Sequence, residues 1–358
     1  MRPSYRVGYL YSPVFLAHTL PRHPESHARL EAVMTLLRAS GELDRLINLP
    51  FVAATASQLC AVHVDAYVDL VKQLSARGGA MLGPDTYINR ASFEAASSAA
   101  GAAMAAARAV LAGEVDRAFA LVRPPGHHAF ADHGEGFCLF NNIAVAAKYA
   151  LGDVPADQTG GRSTPLERVM IVDWDVHHGN GTQSIFYEDP RVLFVSIHQL
   201  PLYPLSGRID EIGAGAGRGT TVNVPLPPGV GDEGYARVLD EIVVPLARRY
   251  RPQLLMMSAG FDGHWVDELA GMNLSLRGYA HIVATLTRLS DALCAGRLVA
   301  VLEGGYDHDV LSYGVLNTLR LLRGESSDVA LDPPGPFTGR EVSAEPIISQ
   351  VKAAHGLL

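Results

Sequence analysis

Carboxylates and histidines alternate just after an apolar run in the segment RVMIVDWDVHHGNG, residues 168–181. In an extended chain, side chains two positions apart share a face, so Asp173, Asp175 and His177 are expected on one side. Carboxylates packed together cost free energy unless a cation neutralises them. The pattern therefore favours a metal site over separate structural hydrogen bonds. His178 points the other way and is expected to make a structural hydrogen bond.

A third metal ligand is expected from the segment QLLMMSAGFDGHWVDE, in which small residues separate an apolar strand from Asp262. Such residues let the backbone approach a metal closely. One histidine and two carboxylates, from Asp175, His177 and Asp262, leave a coordination position open for water or substrate, as catalytic zinc sites do. His264 and Asp267 lie on the loop beyond and are alternative ligands.

Groups that transfer protons or donate hydrogen bonds follow two other apolar runs. The turn PPG presents His127 and His128, which beside a metal can act as general base and acid because imidazole titrates near neutral pH. The segment LVAVLEGGYD ends in Tyr306, which either polarises a carbonyl or is a packed surface side chain. Gly136 and Phe137 form either a buried loop anchor or a wall of a substrate channel.

Short β-branched apolar runs precede these segments and recur along the chain. Buried strands are predicted at Arg6–Tyr11, Arg117–Val122, Arg168–Val172, Val192–Ile197, Gln253–Ser258 and Arg297–Leu302. Helices are predicted at Ser26–Ala39, Asp65–Ala76, Ala91–Ala112, Asn141–Leu151, Asp232–Tyr250, Leu276–Ala295 and Val310–Arg323. This alternation is typical of an α/β fold, in which the loops at the carboxyl ends of parallel strands meet in one crevice.

Composition limits the classes of function. The chain has 358 residues, with 29 Lys+Arg against 37 Asp+Glu and a net charge of −8, so no basic surface is expected for nucleic acid. Its three cysteines are scattered and form no CxxC pair, which fits a reducing cytoplasm. No secretory apolar segment and no membrane span is predicted. The oligomeric state is left open.

One domain is predicted for residues 1–358, with a core of about residues 6–323. The tail, residues 324–358, lacks strong periodicity and is expected to pack on the surface. The polar stretch Gly152–Glu167 is predicted to be a surface loop.

Five motifs together, PPGHH, GFCLFNN, DWDVHHGNGTQ, SAGFD and LEGGY, resemble the zinc-dependent histone deacetylase superfamily, which includes acetylpolyamine amidohydrolases and bacterial deacetylase-like amidohydrolases. The resemblance spans roughly Arg6 to Arg323, and the asparagine of HHGNG is more like class II members. It implies an arginase/deacetylase-like α/β fold with a central, mostly parallel sheet of about eight strands flanked by helices.

The resemblance also implies roles for single residues. Asp175, His177 and Asp262 would hold zinc, or iron(II) in the cell, in agreement with the spacing argument. The implied catalytic residues are His128 as base and acid, Asn180 as its orienting partner, His127 paired with Asp173, and Tyr306 as the group that polarises the acyl carbonyl. Structural potassium is implied at Asp173, Ser196 and the main-chain carbonyls of Asp175, His177 and Ile197, with a second ion near Phe186, Asp189 and Val192.

Substrate-binding residues are implied at the channel and its mouth. Gly136 and Phe137 would line the channel, with Tyr203 facing Phe137 where many members have Phe, and Asp85 would accept substrate backbone N–H groups. The gatekeeper position, which is acidic in polyamine deacetylases, falls on Leu269 when counted from Asp262 without gaps. An apolar gate predicts N-ε-acyl-lysine in peptides or proteins as substrate.

Three alternatives differ from this prediction. A one-residue shift of the loop would bring Glu268 to the mouth and favour acetylpolyamines. A dinuclear manganese ureohydrolase shares the implied fold, but it needs more bridging carboxylates and no Gly-Gly-Tyr donor. A non-catalytic acyl-group binding module would be expected to lack Tyr306, which is present.

Overall fold

Eight strands form the central sheet of the structure, a computed structural model that describes residues 5–155 and 164–357. Within these residues the strands are β1 (Val7–Leu10), β2 (Ile47–Asn48), β3 (Gly79–Met81), β4 (Tyr87–Asn89), β5 (Arg117–Ala120), β6 (Val169–Asp173), β7 (Val192–Gln199), β8 (Thr221–Leu226), β9 (Leu254–Ala259) and β10 (Leu298–Leu302). Strands β3 and β4 form a separate antiparallel pair.

Every pairing in the central sheet is parallel, and the strand order is β2-β1-β5-β10-β9-β6-β7-β8. The predicted α/β fold with a parallel sheet of about eight strands is therefore confirmed. All six strands predicted from apolar runs are present, whereas β2 and β8 were not predicted. Strand β2 has only two residues, both exposed, so it carries no apolar signal.

Helices flank the sheet and match most of the predicted helical segments. Within the described residues they are α1 (Val14–Ala17), α2 (His27–Ala39), α3 (Ala56–Leu59), α4 (Asp65–Ala76), α5 (Ser92–Leu111), α6 (Asn142–Ala150), α7 (Asn180–Phe186), α8 (Asp232–Val238), α9 (Val244–Tyr250), α10 (Leu276–Leu293), α11 (His308–Leu322) and α12 (Glu345–Ala354). The alanine-rich helix α5 is almost wholly buried, because its small side chains allow close packing.

The helix predicted at Asp232–Tyr250 is present without a gap, but it is not α-helical throughout. Helices α8 and α9 are joined by one π-helical turn, Leu239–Val243. Pro245 lies in the first turn of α9 and has no N–H to donate to the preceding turn, which accounts for the irregular hydrogen bonding there.

The tail contains an α-helix that its sequence did not predict. Helix α12 buries Ile348 and Val351 completely and packs against β8 and the π-helical turn. The central part of the predicted loop Gly152–Glu167 lies outside the described residues. Among the helices of the described ranges, none combines the length and hydropathy that crossing a membrane requires.

Candidate active site

The four segments that carry the candidate metal-binding and catalytic residues follow four strands that lie side by side. In the sheet order, β5, β10, β9 and β6 are consecutive neighbours at its centre. His127 follows β5, Glu303 follows β10, Asp262 follows β9, and Asp173 ends β6. Because the strands are parallel, all of these residues lie at the same edge of the sheet, as the sequence predicted.

Asp175, His177 and Asp262 form one compact cluster. Their ligand atoms all lie within 4.8 Å of one another. His177 Nδ1 is 3.1 Å from Asp175 Oδ1 and 3.2 Å from Asp262 Oδ2. Both carboxylates are buried, and His177 is only slightly exposed. The structure thus brings together the three residues predicted as metal ligands.

The hydrogen bonding of this cluster suits a divalent cation. Asp262 Oδ2 is buried and accepts no hydrogen bond, whereas Asp262 Oδ1 accepts one from the Val176 N–H at 3.0 Å. Burial and the neighbouring Asp175 carboxylate both raise the pKa of Asp262. A bound cation would relieve this repulsion, and imidazole nitrogen and carboxylate oxygen are ligand types that both zinc and iron(II) accept. The residues therefore fit the metal that the sequence implies.

Gly304 is required by the cluster itself. Its N–H donates to Asp175 Oδ2 at 2.8 Å. A Cβ atom at this position would lie 2.2 Å from Asp262 Oδ2 and 2.6 Å from Asp175 Oδ2. Only glycine lets the turn after β10 approach both carboxylates, which explains the first glycine of LEGGY.

The two tandem histidines have different partners. His127 Nδ1 donates to Asp173 Oδ2 at 2.9 Å, and its Nε2 lies 3.8 Å from Asp175 Oδ1. His128 Nδ1 lies 2.8 Å from Asn180 Oδ1 and donates to it. These are the pairs predicted for the two histidines, and all four side chains are buried.

The surroundings push the pKa values of the two histidines apart. Burial would lower the pKa of His127, but the carboxylates of Asp173 and Asp175 outweigh burial and raise it to about 10. Burial, together with the charges of His127 and His177, lowers the pKa of His128 well below its ordinary value. His127 is therefore cationic near neutral pH, and His128 is a neutral imidazole that can accept a proton.

Gly136 makes room for the ring of His128. Its φ is +53°, in the left-handed region, and a Cβ there would lie 2.4 Å from His128 Cδ2. The backbone at Gly136 thus forms a wall directly against the imidazole. This contact supports the prediction that Gly136 lines the channel.

Tyr306 is held by its backbone and by its ring. Its N–H donates to Asp267 Oδ2 at 2.8 Å. Its ring meets Phe137 edge-on at 5.9 Å between centroids, and the guanidinium of Arg29 lies 5.0 Å from the ring centre. Burial raises the pKa of Tyr306 well above its ordinary value, so its hydroxyl stays a hydrogen-bond donor.

Arg29 fixes the turn that carries Tyr306, and sequence reasoning missed it. The Arg29 guanidinium donates to the carbonyl oxygens of Gly305 at 2.7 Å and Glu303 at 2.6 Å. Glu25 bridges Arg29 to a second buried arginine, Arg123. The i,i+4 spacing of Glu25 and Arg29 is a weak sequence signal for their ion pair, but nothing in the sequence links Arg29 to residues 274 and 276 positions away.

Glu303 supports the backbone of the tandem histidines. Its Oε2 accepts from the N–H groups of Gly126 at 2.7 Å and His127 at 3.2 Å, and its Oε1 accepts from the Ser258 hydroxyl. Burial raises the pKa of Glu303 to about 7. The glutamate of LEGGY was quoted as part of a motif but was given no role from the sequence.

Two of the residues predicted at the mouth, Asp85 and Tyr203, lie near Phe137 and His128 respectively. Asp85 is half-buried beside Thr86, whose hydroxyl accepts from the Phe137 N–H at 3.0 Å and donates to Asp85 Oδ1. Tyr203 is 39% exposed, and its ring meets His128 edge-on at 5.3 Å. His23, which the sequence did not predict, packs edge-on against Phe137 at 4.7 Å.

Leu269 lies in a cleft beside Tyr306, which we call the gate cleft. Its volume is about 510 Å³, and its lining includes Pro24, Glu268, Leu269, Tyr306 and Asp309. The Leu269 N–H donates to Asp267 Oδ1 at 3.0 Å. Leu269 and Glu268, the two residues between which the sequence had to choose, therefore both line the same cleft.

Three other histidine and aspartate candidates have structural partners or lie outside the metal cluster. His178 hydrogen-bonds with Ser206 Oγ and Gln183 Oε1, which confirms the prediction that it makes a structural hydrogen bond. Asp267 accepts from three backbone N–H groups, including that of Tyr306. His264 is buried 4.0 Å from Asp332 Oδ1. Asp267 and His264, considered as alternative ligands, are absent from the metal-type clusters within the described residues.

The predicted potassium ligands are neighbours in the sheet. Asp173 pairs with Ser196 across β6 and β7, and Ile197 follows in β7. Ser196 Oγ lies 2.9 Å from His198 Nδ1. At the second predicted site, the Lys148 ammonium lies 3.1 Å from Asp189 Oδ2 and 5.4 Å from the centre of the Phe186 ring. Both potassium sites stay predictions.

Comparison with known proteins agrees with this geometry. A family model described as the histone deacetylase domain matches residues 23–322. A probable deacetylase of Archaeoglobus fulgidus is 42% identical over 331 residues, which are 91% of this chain and 89% of that protein. A histone deacetylase-like amidohydrolase of Pseudomonas aeruginosa is 40% identical over 332 residues, which are 92% of this chain and 83% of that protein.

A solved structure matches the whole architecture. The crystal structure of the HDA15 HD domain superposes with a TM-score of 0.86 at 33% identity, and the match covers 98% of this chain and 94% of that one. The arginase/deacetylase-like fold implied by the sequence motifs is thereby confirmed.

Proposed function

This chain belongs to the histone deacetylase family, a family of deacetylases and amidohydrolases, and from that premise we propose that it hydrolyses N-ε-acyl-lysine in peptides or proteins with the help of zinc. The observation that carries the proposal is the buried cluster of Asp175, His177 and Asp262 beside the His127–His128 pair. A structural metal site would not need a neutral imidazole and a tyrosine hydroxyl at its edge.

Zinc would be held by Asp175, His177 and Asp262, with iron(II) as the alternative in the cell. When bound, the metal supplies Lewis acidity, which makes a water molecule more acidic and polarises the acyl carbonyl. The proposed structural potassium ions would lie farther from the chemistry and would hold the strand ends in place.

The chain's own residues would move the protons. His128 is neutral, and its Nδ1–H is engaged by Asn180, so its Nε2 is free to accept the proton of the attacking water. The same Nε2 then donates that proton to the leaving amine. His127, kept cationic by Asp173, favours negative charge nearby, and the Tyr306 hydroxyl donates to the oxyanion that develops on the acyl carbonyl.

Acyl-lysine is proposed as the substrate because Leu269 is apolar and half-buried beside Tyr306. A narrow channel between Phe137 and Tyr203 would suit an alkyl chain, and Asp85 at the mouth would accept N–H groups of the peptide backbone. The alternative substrate is an acetylpolyamine. It is favoured by one observation, the exposed carboxylate of Glu268 in the gate cleft.

Loss of a single ligand tests the metal assignment. Asp175→Ala and Asp262→Ala should lose bound zinc and acetate release from an acetyl-lysine peptide together, because each leaves only two protein ligands. Metal content is measured by elemental analysis after dialysis, and Asp240→Ala, which removes an exposed aspartate of the π-helical turn, is the matched control. Stoichiometric zinc in both ligand variants would contradict the assignment.

A further inference from the structure

Glu135 contacts the residue that orients His128. Asn180 uses both ends of its side-chain amide: Oδ1 accepts from His128 Nδ1 at 2.8 Å and from the Gly181 N–H at 3.0 Å, whereas Nδ2 donates to Glu135 Oε1 at 2.6 Å. A carboxylate can only accept hydrogen bonds. Glu135 therefore favours the amide orientation in which the Asn180 oxygen faces His128.

The orientation of this amide decides the tautomer of His128. With the Asn180 oxygen facing it, Nδ1 of His128 carries the hydrogen and Nε2 has a free lone pair. With the amide rotated by 180°, its NH₂ group would face Nδ1 and favour the tautomer that carries the hydrogen on Nε2. That tautomer cannot accept a proton at Nε2.

Tyr203 contacts His128 and lines the same groove as Glu135. The Tyr203 ring meets the His128 imidazole edge-on, at 5.3 Å and 81°. Burial and the Glu135 carboxylate both raise the pKa of Tyr203, so its hydroxyl stays protonated. Glu135, Asn180 and Tyr203 line one groove of about 830 Å³ beside the site, which we call the Glu135 groove. Glu135 therefore hydrogen-bonds to one of the two side chains that contact His128 and shares a groove with the other.

We propose that Glu135 is a positioning residue: it fixes the amide orientation of Asn180 and through it the tautomer of His128. This inference rests on the proposed function, because it takes His128 as the general base. Glu135 itself is one-third exposed in the wall of the groove and touches none of the reacting atoms that the proposal names.

Two substitutions of Glu135 separate its hydrogen bond from its charge. Glu135→Met removes the acceptor and should lower kcat about tenfold with little change in KM, the size expected for losing one hydrogen bond to a charged group. Glu135→Gln keeps an acceptor oxygen and should retain most of kcat. Glu188→Met removes a charge from the same groove without a hydrogen bond to Asn180, and its kcat should stay within about twofold of the wild type.

A second-site variant makes the test independent of overall damage to the fold. Asn180→Asp needs no amide orientation, but its carboxylate would face that of Glu135 across the present 2.6 Å contact, so this variant should lose most of kcat. Adding Glu135→Met, or Glu135→Gln if the methionine variant does not fold, should restore kcat at least severalfold. A purely structural role for Glu135 predicts losses that add instead, and additive losses would overturn the proposal.

A spectroscopic readout separates failure of this inference from failure of the proposed function. In protein that carries ¹⁵N-labelled histidine, long-range ¹H–¹⁵N NMR correlations report the tautomer of each imidazole. His128 should be Nδ1-protonated in the wild type but not in Glu135→Met. The His128 signals are identified by their loss in His128→Ala. An inactive wild type would contradict the proposed function alone, whereas an unchanged tautomer and unchanged kcat in Glu135→Met would refute the role of Glu135.

Discussion

His127 and His128 are adjacent copies of one side chain that the protein holds in opposite charge states. His127 donates to a buried carboxylate and stays cationic, so it is a poor proton acceptor. Burial and the charges of two neighbouring imidazoles keep His128 neutral, whereas the amide oxygen that it faces acts in the opposite direction and is too weak to outweigh them. The different charge states of the two histidines therefore follow from their surroundings, in which His127 has a carboxylate partner and His128 has only an amide.

The role proposed for Tyr306 depends on a single atom, its hydroxyl oxygen, and a substitution that removes only this atom tests it. Tyr306→Phe should keep the fold and the bound metal but lower kcat by about 10²–10³, because it removes one donor to the developing oxyanion. The packing of the ring against Phe137 and the Arg29 guanidinium would be preserved. Steady-state kinetics with an acetyl-lysine peptide and zinc analysis of the same preparation check both parts.

A different result would change the role of this hydroxyl. If kcat is unchanged while KM rises, the Tyr306 hydroxyl contributes to ground-state binding and not to the transition state. If zinc is lost as well, the substitution has disturbed the nearby Gly304, whose N–H donates to Asp175. The result would then not report on the hydroxyl itself.

At the residue scale, the sequence predicted the candidate metal ligands and catalytic residues better than the residues that position them. The set of Asp175, His177 and Asp262 was predictable because like charges after apolar strands need a cation. Arg29 and Asp267 were not, because each acts on backbone atoms of the Tyr306 turn and such contacts leave no pattern in the side chains. A buried arginine that binds carbonyl oxygens looks, in sequence, like any surface arginine of an amphipathic helix.

At the scale of elements, one buried ion-pair network joins three parts of the site. Glu25 precedes helix α2, Arg29 lies within α2 and holds the turn after β10, and Arg123 lies between β5 and the tandem histidines. Arg123 also donates to the carbonyl oxygens of Phe15 at 2.8 Å and His18 at 2.9 Å. Removing Glu25 would leave two buried guanidinium groups without their shared carboxylate.

The pH dependence of stability tests this network. Burial would raise the pKa of Glu25, but Arg123 and Arg29 outweigh burial and lower it to about 2. A lowered pKa in the folded state gives stability that is fully present above the ordinary value and is lost as pH falls towards 2. Glu25→Gln should therefore reduce the free energy of unfolding by about 3 kcal/mol at pH 7, and the difference from wild type should shrink at pH 3.

Denaturant titrations at both pH values measure that difference. Glu31→Gln is the matched control, because Glu31 is exposed on helix α2, which follows Glu25, and should change stability by less than about 0.5 kcal/mol. A destabilisation of Glu25→Gln that is equally large at pH 3 and pH 7 would show that packing, and not the charge of Glu25, is responsible.

Most elements could be predicted from the sequence, but their arrangement could not. Apolar periodicity predicted six of the sheet strands, yet nothing in it places β10 between β5 and β9, which is what brings Gly304 onto the metal cluster. Helix α7 was not predicted because its apolar face is short. Strand β8 was not predicted from a stretch in which a proline interrupts the apolar run.

At the scale of the whole molecule, acidic cavities flank the proposed channel on two sides. The Glu135 groove contains Glu135, Glu188 and Glu211, and the gate cleft contains Glu268 and Asp309. Both are built from loops at the carboxyl edge of the sheet. The fold as a whole matches that of the HDA15 HD domain. Because a shared fold does not fix the substrate, we expect residues of these loops to set the substrate preference.

The substrate preference of the enzyme follows from which residue of the gate cleft faces the amine. The Leu269 N–H donates to Asp267, which also accepts from the Tyr306 N–H, so the proposed gate and the proposed catalytic tyrosine share one hydrogen-bond acceptor. An apolar gate offers no attraction to a protonated polyamine, and we expect a higher kcat/KM for an acetyl-lysine peptide than for N-acetylputrescine. Leu269→Glu should move this ratio towards the polyamine about fivefold, because it adds a carboxylate at the proposed gate position of a cleft that already contains Glu268 and Asp309. Glu268→Gln is the matched variant, and it should leave the ratio nearly unchanged.

A clear preference of the wild type for N-acetylputrescine that Glu268→Gln abolishes would instead make Glu268 the gatekeeper and the protein a polyamine deacetylase.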